Sequence, residues 1–374
     1  MNMKKKIVFF ITFGIFFLVI YLCLATLNMK EELQLSPKWT VDLLEDLSTM
    51  QKDETGVFQL VNSEIFLDEQ LIPFKLGQNF GYFTQEGKVA SFQTFPFKVS
   101  ISSSFFTIFS NDSVIHTIFK KNGKEQCKIF SSGFPFIEDE RIYIFAPGGS
   151  IVSSFNIEGK QNWRYESYVP IVAFRSSEGA CVVGLADGSL LHFKNDQTEP
   201  TFFVPGGSNY QIILGADVSK SGELVACVSG LEKQRFVVSR ILDGQSKILF
   251  HEYLTGELTE QTFVKFAYAH SDLEAVVFFQ HADGLGIFSL EELKIHNINL
   301  EGKILSVAFS PQKKYVFVLS KIDENTFSIY MINNYYQLVG SVRFDAEYAF
   351  LHTQNNSLYI GKNFSISRFD LMIK

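Results

Sequence analysis

Hydrophobic and polar residues alternate along most of this chain, from about residue 55 to its end. Short runs such as RIYIF, FVVSRI, YVFVLS and SLYIG are separated by Gly, Asn and Asp. A period of two residues is typical of β-strands with one buried face, and the separating residues favour turns. No long helical period follows the first 30 residues. The pattern therefore predicts an all-β fold.

The strands come in repeats, and each repeat is marked by a polar turn between two strands. FTQEGKVASF, FKKNGKEQCKIF and FNIEGKQNWRY turn at Gly87, Gly123 and Gly159, in steps of 36 residues. The same phase continues in steps of 37, 48, 48 and 42 residues at Asp196, Gly244, Glu292 and Asn334. Each step has room for two further strands, and four strands in roughly 40 residues make a propeller blade. The repeats therefore predict a β-propeller.

The number of turns and the two chain ends predict eight four-stranded blades. The C-terminal segment AFLHTQNNSLYIGKNFSISRFDLMIK supplies three strands, and KWTVDL at Lys38–Leu43 is a lone strand pattern near the other end. Pairing these segments would complete the last blade and close a propeller over residues 38–374. Seven blades are the alternative if the irregular unit around Leu71–Leu76 is not a complete blade.

The second strong pattern is the apolar run Ile7–Leu27, which carries no charge. As a helix it would be about 30 Å long, which matches the hydrocarbon core of a bilayer. Lysines occupy positions 4–6, so the positive-inside rule predicts a cytoplasmic N-terminus and a propeller on the extracytoplasmic, periplasmic side. We predict a stub and signal anchor in the cytoplasmic (inner) membrane over residues 1–29, followed by a linker over residues 30–37. Cleavage after Ala25 is the alternative.

Composition and motif spacing exclude several classes of chemistry. The formal net charge of −7 and the pI near 5.6 argue against nucleic acid, which requires a basic surface. Cys127, Cys181 and Cys227 are far apart in apolar stretches, and this indicates buried small side chains rather than a zinc site or disulfides. The seven His form no HExxH motif, and the Asp-Gly pairs lack the spacing of a calcium loop. No catalytic residue and no metal site is predicted.

Two segments resemble known propeller repeats. In SFNIEGKQNW, Gly159 and Trp163 match the PQQ-type repeat A-x-D-x-x-T-G-x-x-x-W, Ser154 and Asn156 are near matches, and Glu158 replaces Thr. VAFSP, from residue 307, followed by YVFVLS is similar to a WD40 repeat. The chain thus resembles the WD40/PQQ-like propeller superfamily. PQQ-dependent dehydrogenases in it have vicinal cysteines and a Trp in almost every blade, whereas this chain has neither.

That comparison implies the non-enzymatic branch, which includes the lipoprotein propeller that assists outer-membrane protein assembly. No PQQ and no other cofactor is expected. Within the repeats, Trp163 is predicted to pack against the next blade, because a large ring buries considerable area there. The glycines of the regular turns are predicted to have a structural role only: Gly87, Gly123, Gly159 and Gly244.

A partner surface is predicted where the repeats are longest, because extra loop length in a repeat array often marks the binding face. The extra residues fall in Gly230–Gln234 and His251–Glu260. The candidate contact residues in these two loops are Gly230, Glu232, Lys233, His251, Glu252 and Glu257.

The sequence favours a protein-binding scaffold in an envelope complex, and two alternatives stay open. An extracytoplasmic hydrolase or lyase would have acidic and His side chains converging on the innermost strands. A sensor of a small ligand or peptide would have a preformed apolar pocket. Both alternatives place the site at the mouth of the channel.

Overall fold

The computed structural model describes residues 12–21, 33–45, 50–52, 58–60, 70–96, 98–195, 197–267, 272–310 and 314–373. Its strands form eight sheets arranged as the blades of a propeller, and the predicted all-β, eight-bladed fold is confirmed. This part of the chain also contains a helix over residues 12–21 and a 3-10 turn at Asp272–Glu274.

Six blades consist of four consecutive antiparallel strands, ordered from the axis outwards. Blade 2 has β7 (Lys98–Ile101), β8 (Phe105–Phe109), β9 (Ile115–Lys120) and β10 (Glu125–Phe130). Blade 3 has β11 (Phe134–Glu138), β12 (Arg141–Phe145), β13 (Ile151–Phe155) and β14 (Gln161–Glu166). Blade 4 has β15 (Ile171–Ser176), β16 (Ala180–Leu185), β17 (Leu190–Lys194) and β18 (Thr201–Phe203).

The next three blades repeat this order. Blade 5 has β19 (Ile213–Val218), β20 (Leu224–Ser229), β21 (Arg235–Leu242) and β22 (Gln245–Tyr253). Blade 6 has β23 (Val264–Ala267), β24 (Val276–His281), β25 (Gly284–Ser289) and β26 (Lys294–Asn299). Blade 7 has β27 (Lys303–Phe309), β28 (Tyr315–Lys321), β29 (Thr326–Asn333) and β30 (Leu338–Asp345).

Blades 8 and 1 both take outer strands from the N-terminal part of the chain. Blade 8 has β31 (Ala349–Gln354), β32 (Ser357–Lys362), β33 (Ser365–Ile373) and, outermost, β1 (Leu33–Asp42). Blade 1 is a five-stranded sheet with β4 (Ile72–Leu76), β5 (Asn79–Phe83), β6 (Val89–Thr94), β3 (Phe58–Leu60) and β2 (Met50–Lys52). β1 runs antiparallel to β33, from Leu33 opposite Ile373 to Asp42 opposite Ser365.

Blade 1 keeps the phase of the repeat although it is built differently. The Phe95 amide donates to the Gln78 carbonyl oxygen at 3.0 Å, just as the Leu254 amide donates to the Gln234 carbonyl oxygen at 2.8 Å in blade 5. Gly77, between β4 and β5, lies against Tyr348 in the fourth-to-first connection before β31, so β4, β5 and β6 run in the directions of the second, third and fourth strands of a regular blade. β4 itself lies beside the innermost strands β31 and β7. Gly87 is then a third-to-fourth-strand turn like Gly123, which explains the even spacing of the two turns.

The turns at Gly87, Gly123 and Gly159 share one hydrogen-bonding frame, whereas Gly244 lies in a shorter turn between the paired residues Leu242 and Gln245. In blade 3 the Asn156 Oδ1 atom accepts from the amides of Glu158 at 3.1 Å and Lys160 at 2.8 Å. Gly159 has φ of +82°, and a Cβ atom there would lie 2.9 Å from the Lys128 carbonyl oxygen of blade 2. Glycine is therefore required both by its own backbone and by the neighbouring blade. Gly87, Gly123 and Gly244 also have positive φ, of +87°, +78° and +74°.

Because successive strands alternate in direction, the connections divide between two faces of the ring. We call the turn face the one that carries the first-to-second and third-to-fourth connections, such as 139–140 and 156–160. We call the loop face the opposite one, which carries the second-to-third and fourth-to-first connections, such as 230–234 and 254–263.

The core lies between neighbouring blades rather than in one central cluster. Second strands such as ACVVGL and LVACVS are buried along their whole length, as expected for strands covered on both faces. Cys127, Cys181 and Cys227 are buried and unpaired, so the prediction of small buried side chains is confirmed.

Trp163 contributes to this packing. Its indole is 8% exposed and stacks on the Phe193 ring of blade 4, with 4.3 Å between the ring centroids and 5° between the ring planes.

The described part of the N-terminal segment is the ten-residue helix over residues 12–21. Within the ranges that the structure describes, no helix is long and apolar enough to cross a membrane. The predicted span Ile7–Leu27 lies partly outside those ranges.

Replacing Trp163 with Ala should lower the free energy of unfolding by about 3–5 kcal/mol, because it removes a buried ring and leaves a cavity between blades 3 and 4. Urea denaturation of the purified protein measures the change. Tyr168→Ala is the matched control, since Tyr168 is fully exposed. Equal stability of the two variants would contradict the packing role of Trp163.

Candidate functional site

The two loops predicted to bind a partner lie side by side on the loop face of blade 5. The prediction was wrong about where the second loop begins, because β22 extends to Tyr253 and the loop covers residues 254–263. The Gln234 side chain is buried between them, where its Nε2 atom donates to the Leu258 carbonyl oxygen and its Oε1 atom accepts from the Leu258 amide at 3.0 Å. The Lys233 amide donates to Glu257 Oε1 at 3.2 Å. The longer insertions are thus held together by hydrogen bonds.

A third segment extends this platform towards blade 4. The amides of Gly230 and Leu231 donate to the carbonyl oxygens of Ile212 and Tyr210, at 2.8 and 3.0 Å. At the start of the same segment, the Pro205 carbonyl oxygen accepts a hydrogen bond from the Arg235 Nη1 atom at 3.0 Å. The loops of blades 4 and 5 therefore form one surface.

The predicted contact residues have different environments on this surface. Gly230 is buried, and a Cβ atom there would lie 2.5 Å from Ser208, so its role is to let two segments approach closely. Glu232, Lys233 and Glu257 are exposed in the loops, whereas His251 and Glu252 are exposed on β22. Five of the six residues are thus available to a partner.

Exposed apolar and aromatic side chains continue around the loop face over blades 2 to 5. We call this set the loop-face belt: Phe130, Tyr168, Val204, Tyr210 and Tyr253. The Arg235 guanidinium lies 5.9 Å from the centroid of the Tyr253 ring and so connects the belt to the platform. Sequence reasoning missed these residues, because single aromatics at strand ends look like core positions until the faces of the ring are known.

Charged side chains of alternating sign lie on the innermost strands of four successive blades. They are Glu138 on β11, Arg175 on β15, Asp217 on β19 and Lys265 on β23. His352 lies on β31 of blade 8. We call these five residues the axial charges.

Burial is the largest cause of the pKa shifts of Asp217, Lys265 and His352. It raises the pKa of Asp217 to about 6, against the opposing effects of a hydrogen bond from the Phe266 amide and of Arg175 and Lys265. It lowers the pKa of Lys265, although Asp217 and Glu138 act in the opposite direction. Burial and the Lys265 charge lower the pKa of His352 to about 4.

The axial charges bring acidic and His side chains to the innermost strands, as the hydrolase alternative requires, but both carboxylates accept hydrogen bonds from the neighbouring blade. Asp217 Oδ2 accepts from the Phe266 amide at 2.7 Å and so joins blade 5 to blade 6. Glu138 Oε2 accepts from the Ser176 hydroxyl at 2.8 Å and joins blade 3 to blade 4. These carboxylates therefore connect neighbouring blades.

The acidic run Glu138–Glu140 is partly compensated by one arginine. Arg141 Nη2 lies 3.8 Å from Glu138 Oε2 and 3.5 Å from Asp139 Oδ2. Within the described ranges, no group of three or more His, Cys, Asp or Glu side chains could hold a metal ion.

An apolar cleft of about 410 Å³ lies between blades 1 and 2 and was not predicted. Four phenylalanines contribute to its lining: Phe95, Phe106, Phe109 and Phe119. The Gln93 side chain is 4% exposed and lines the cleft, and its Oε1 atom has no hydrogen-bond partner. The cleft is the kind of apolar pocket that the sensor alternative requires, but it lies between two blades and not at the channel mouth.

The cleft follows from a change at two repeat positions. Ser91 follows Gly87 by four residues, as Trp163 follows Gly159, and it pairs with Tyr82 as Trp163 pairs with Ser154. Gln93 in the same way corresponds to Tyr165. Blade 1 thus presents two small or polar side chains where blade 3 presents two aromatic rings. Gln93 lines the cleft itself, and Ser91 lines a small void beside it. This difference between the two blades can be read from the sequence when the repeats are aligned on Gly87 and Gly159.

Replacing Asp217 with Asn should stabilise the protein at neutral pH and not below pH 4. Because the folded pKa of Asp217 is about 6 and its ordinary value is 3.8, its contribution to stability is present below about pH 4 and is lost as the pH rises through 6. Asn keeps an oxygen for the Phe266 amide and carries no charge. At 1.36 kcal/mol per pKa unit, the variant should gain at most about 3 kcal/mol.

Urea denaturation of both proteins at pH 4 and pH 7.5 measures the gain. At each pH, the free energy of unfolding of the wild-type protein is subtracted from that of the variant. This subtraction removes the opposing effect of His352, which destabilises the folded state of both proteins as the pH falls. Asp187→Asn, at an exposed turn, is the matched control. The same difference at both pH values would show that Asp217 is not the titrating group.

Sequence and structure comparisons place the chain among known propellers. A family model described as beta-propeller protein matches residues 1–373. An uncharacterized protein of Treponema pallidum (strain Nichols) is 32% identical over 373 residues, which are 99% of this chain and 96% of that protein.

Among solved structures, BamB from Moraxella catarrhalis has a TM-score of 0.58 at 13% identity, covering 90% of this chain and 100% of that one. The C-terminal WD40 domain of Sif2 has a TM-score of 0.58 at 12% identity, covering 81% and 93%. At these identities the two likenesses concern the fold alone. The family match and the 32% identical relative both extend over nearly the whole chain, and the chain belongs to this beta-propeller protein family.

Proposed function

We propose that this protein is a membrane-anchored scaffold whose loop face binds a protein partner in an envelope complex. The observation that carries the proposal is the loop-face belt beside the blade 5 platform. Both lie on one face of the ring, and five predicted contact residues are exposed there.

The chemistry of this surface is that of a protein interface. Tyr and Arg are enriched in protein–protein contacts, where a flat ring buries a large area with little loss of side-chain entropy. Exposed Glu232, Lys233 and Glu257 surround the belt on the blade 5 side and suit a polar rim. Hydrogen bonds of Gln234 and Arg235 already hold these loops in place, so less conformational entropy would be lost when a partner binds.

The support for a membrane anchor comes from the N-terminal sequence. Ile7–Leu27 is long enough to cross a bilayer, and the lysines at positions 4–6 favour a cytoplasmic N-terminus. The family model and the Treponema pallidum relative both extend over this segment, so it belongs to the shared sequence pattern. BamB and the WD40 domain of Sif2 share the fold, and the scaffold role remains part of the proposal.

A chain lacking residues 1–29 should leave the membrane fraction and appear as a folded, water-soluble propeller. Carbonate washing of membranes, followed by immunoblotting, measures the release. The full-length chain should stay in the pellet, with an N-terminus that mass spectrometry identifies as uncleaved. A full-length chain that washes off, or one that begins after Ala25, would overturn the anchor.

A photo-crosslinking amino acid should capture the partner from the loop face and not from the turn face. We expect discrete protein adducts with the probe in place of Tyr168 or Tyr210. The same probe in place of Tyr335 is the matched control, since it is also an exposed tyrosine but lies on the turn face. Mass spectrometry of the adducts identifies the partner.

Charge reversal tests the platform in the same assay. Glu232→Lys combined with Glu257→Lys should reduce the adducts, whereas Glu158→Lys on the turn face should not. Equal adducts from all three probe positions would contradict a loop-face partner. Protein adducts from none of them would favour ligand binding instead, with the cleft between blades 1 and 2 as its place.

A further inference from the structure

The direction of β1 determines which face of the ring the N-terminal segment joins. Leu33 pairs with Ile373, at the end of β33 that leads towards the turn face, and Asp42 pairs with Ser365, beside the second-to-third connection of the loop face. The chain therefore enters the propeller from the turn face of blade 8.

The segment between the apolar run and β1 is short. Only residues 28–32 separate Leu27 from Leu33. At a maximum of about 3.5 Å per residue, they reach roughly 20 Å. If Leu27 ends a membrane span, the turn face at blade 8 must then lie close to the bilayer surface.

The side chains on that side of the turn face suit such a surface. Large apolar or aromatic residues are exposed at the turn-face ends of blades 5 to 8, and we call five of them the turn-face rim: Leu242, Leu273, Leu293, Tyr335 and Met372. Tyr335 is 74% exposed in the third-to-fourth turn of blade 7, beside the blade through which the chain enters. Tyrosine is favoured at the boundary between water and lipid.

The other half of the turn face has the opposite character. Among the residues described there in blades 1 to 4, the exposed side chains of the connections are polar or charged, and the charged ones include Glu86, Lys124, Glu140, Glu158, Lys160 and Glu178. The described connections of this half contain none of the exposed large hydrophobic residues. Apart from Phe202 on β18 of blade 4, the exposed large apolar side chains near the turn face thus lie in the half of the ring that includes the entry point.

We infer that the turn-face rim rests on the lipid bilayer, so that the propeller is tilted with blades 5 to 8 towards the membrane and the loop face towards the solvent. This orientation rests on the proposed membrane anchor, and it states which face of the propeller the anchor holds against the lipid. It directs the loop-face belt away from the lipid, where a protein partner can reach it.

The contact is apolar insertion rather than electrostatic adsorption. Acidic residues lie beside the rim, including Asp243, Glu274, Glu291 and Glu292. They would be repelled by an anionic surface, whereas Leu293 and Tyr335 gain by leaving water for the headgroup region. The rim therefore fits zwitterionic lipid, and salt should have little effect.

The experiment measures which residues of the full-length chain approach the bilayer in phosphatidylcholine nanodiscs. Cys23→Ser leaves three buried cysteines, so one fluorophore can be attached at Tyr335→Cys or, as the matched control, at Tyr168→Cys. Lipids with a nitroxide on the headgroup quench fluorophores near the surface. We expect loss of fluorescence at position 335 and none at position 168, at both low and high salt.

A second variant tests the rim itself. With the fluorophore at Leu242→Cys, the combined change Leu293→Asp and Tyr335→Asp should abolish quenching, whereas Tyr168→Asp should preserve it. Equal quenching at positions 335 and 168, or quenching at 168 alone, would overturn the orientation while the anchor stands. A chain that does not enter the nanodisc would overturn the anchor and the orientation together.

Discussion

Pairing of the two ends of the chain is the constraint on which the ring depends. A row of eight packed sheets would leave one apolar face uncovered on the first blade and one on the last, unless these two blades pack together. β1 makes that closure by completing the sheet of β31, β32 and β33. Trp39 then reaches across to blade 1, where its Nε1 atom donates to the Gln85 carbonyl oxygen at 3.1 Å. A single N-terminal strand thus completes blade 8 and supports the turn of its neighbour.

The remaining stability comes from contacts between neighbouring blades, and their quality differs around the ring. Trp163 on Phe193 and Phe236 on Phe279 are stacked rings, at 4.3 and 3.9 Å between centroids. Between blades 1 and 2, where Ser91 and Gln93 stand at the positions of Trp163 and Tyr165, there are a cleft and a small void. A repeat protein tolerates such a local gap, because each blade packs only against the next one and the others are unaffected.

The repeat was predictable from the sequence because the third-to-fourth turn has a strict local chemistry. Asn156 and Gly159 specify that turn by hydrogen bonds and by a positive φ, and these signals are readable without knowledge of distant residues. Blade 1 looked irregular because β2 and β3 come from the N-terminal side to extend it.

The candidate sites were only partly predictable. The blade 5 loops stood out by their length, but the axial charges did not. Glu138 and His352 lie on innermost strands of different blades, and nothing in their spacing along the chain relates them. The loop-face belt depended in the same way on the division of the ring into two faces.

Closure of the ring also means that β1 is translated long before its partner strand β33. Thr40 and Ser367, whose hydroxyl groups are hydrogen-bonded at 2.9 Å, are 327 residues apart in the chain. At translation rates of about 5–20 residues per second, β1 waits tens of seconds for its partner. During that time its edge is unpaired and open to association with other chains. Early release of an incomplete chain would leave β1 without β33, so completion of translation is itself a condition for a protected sheet edge.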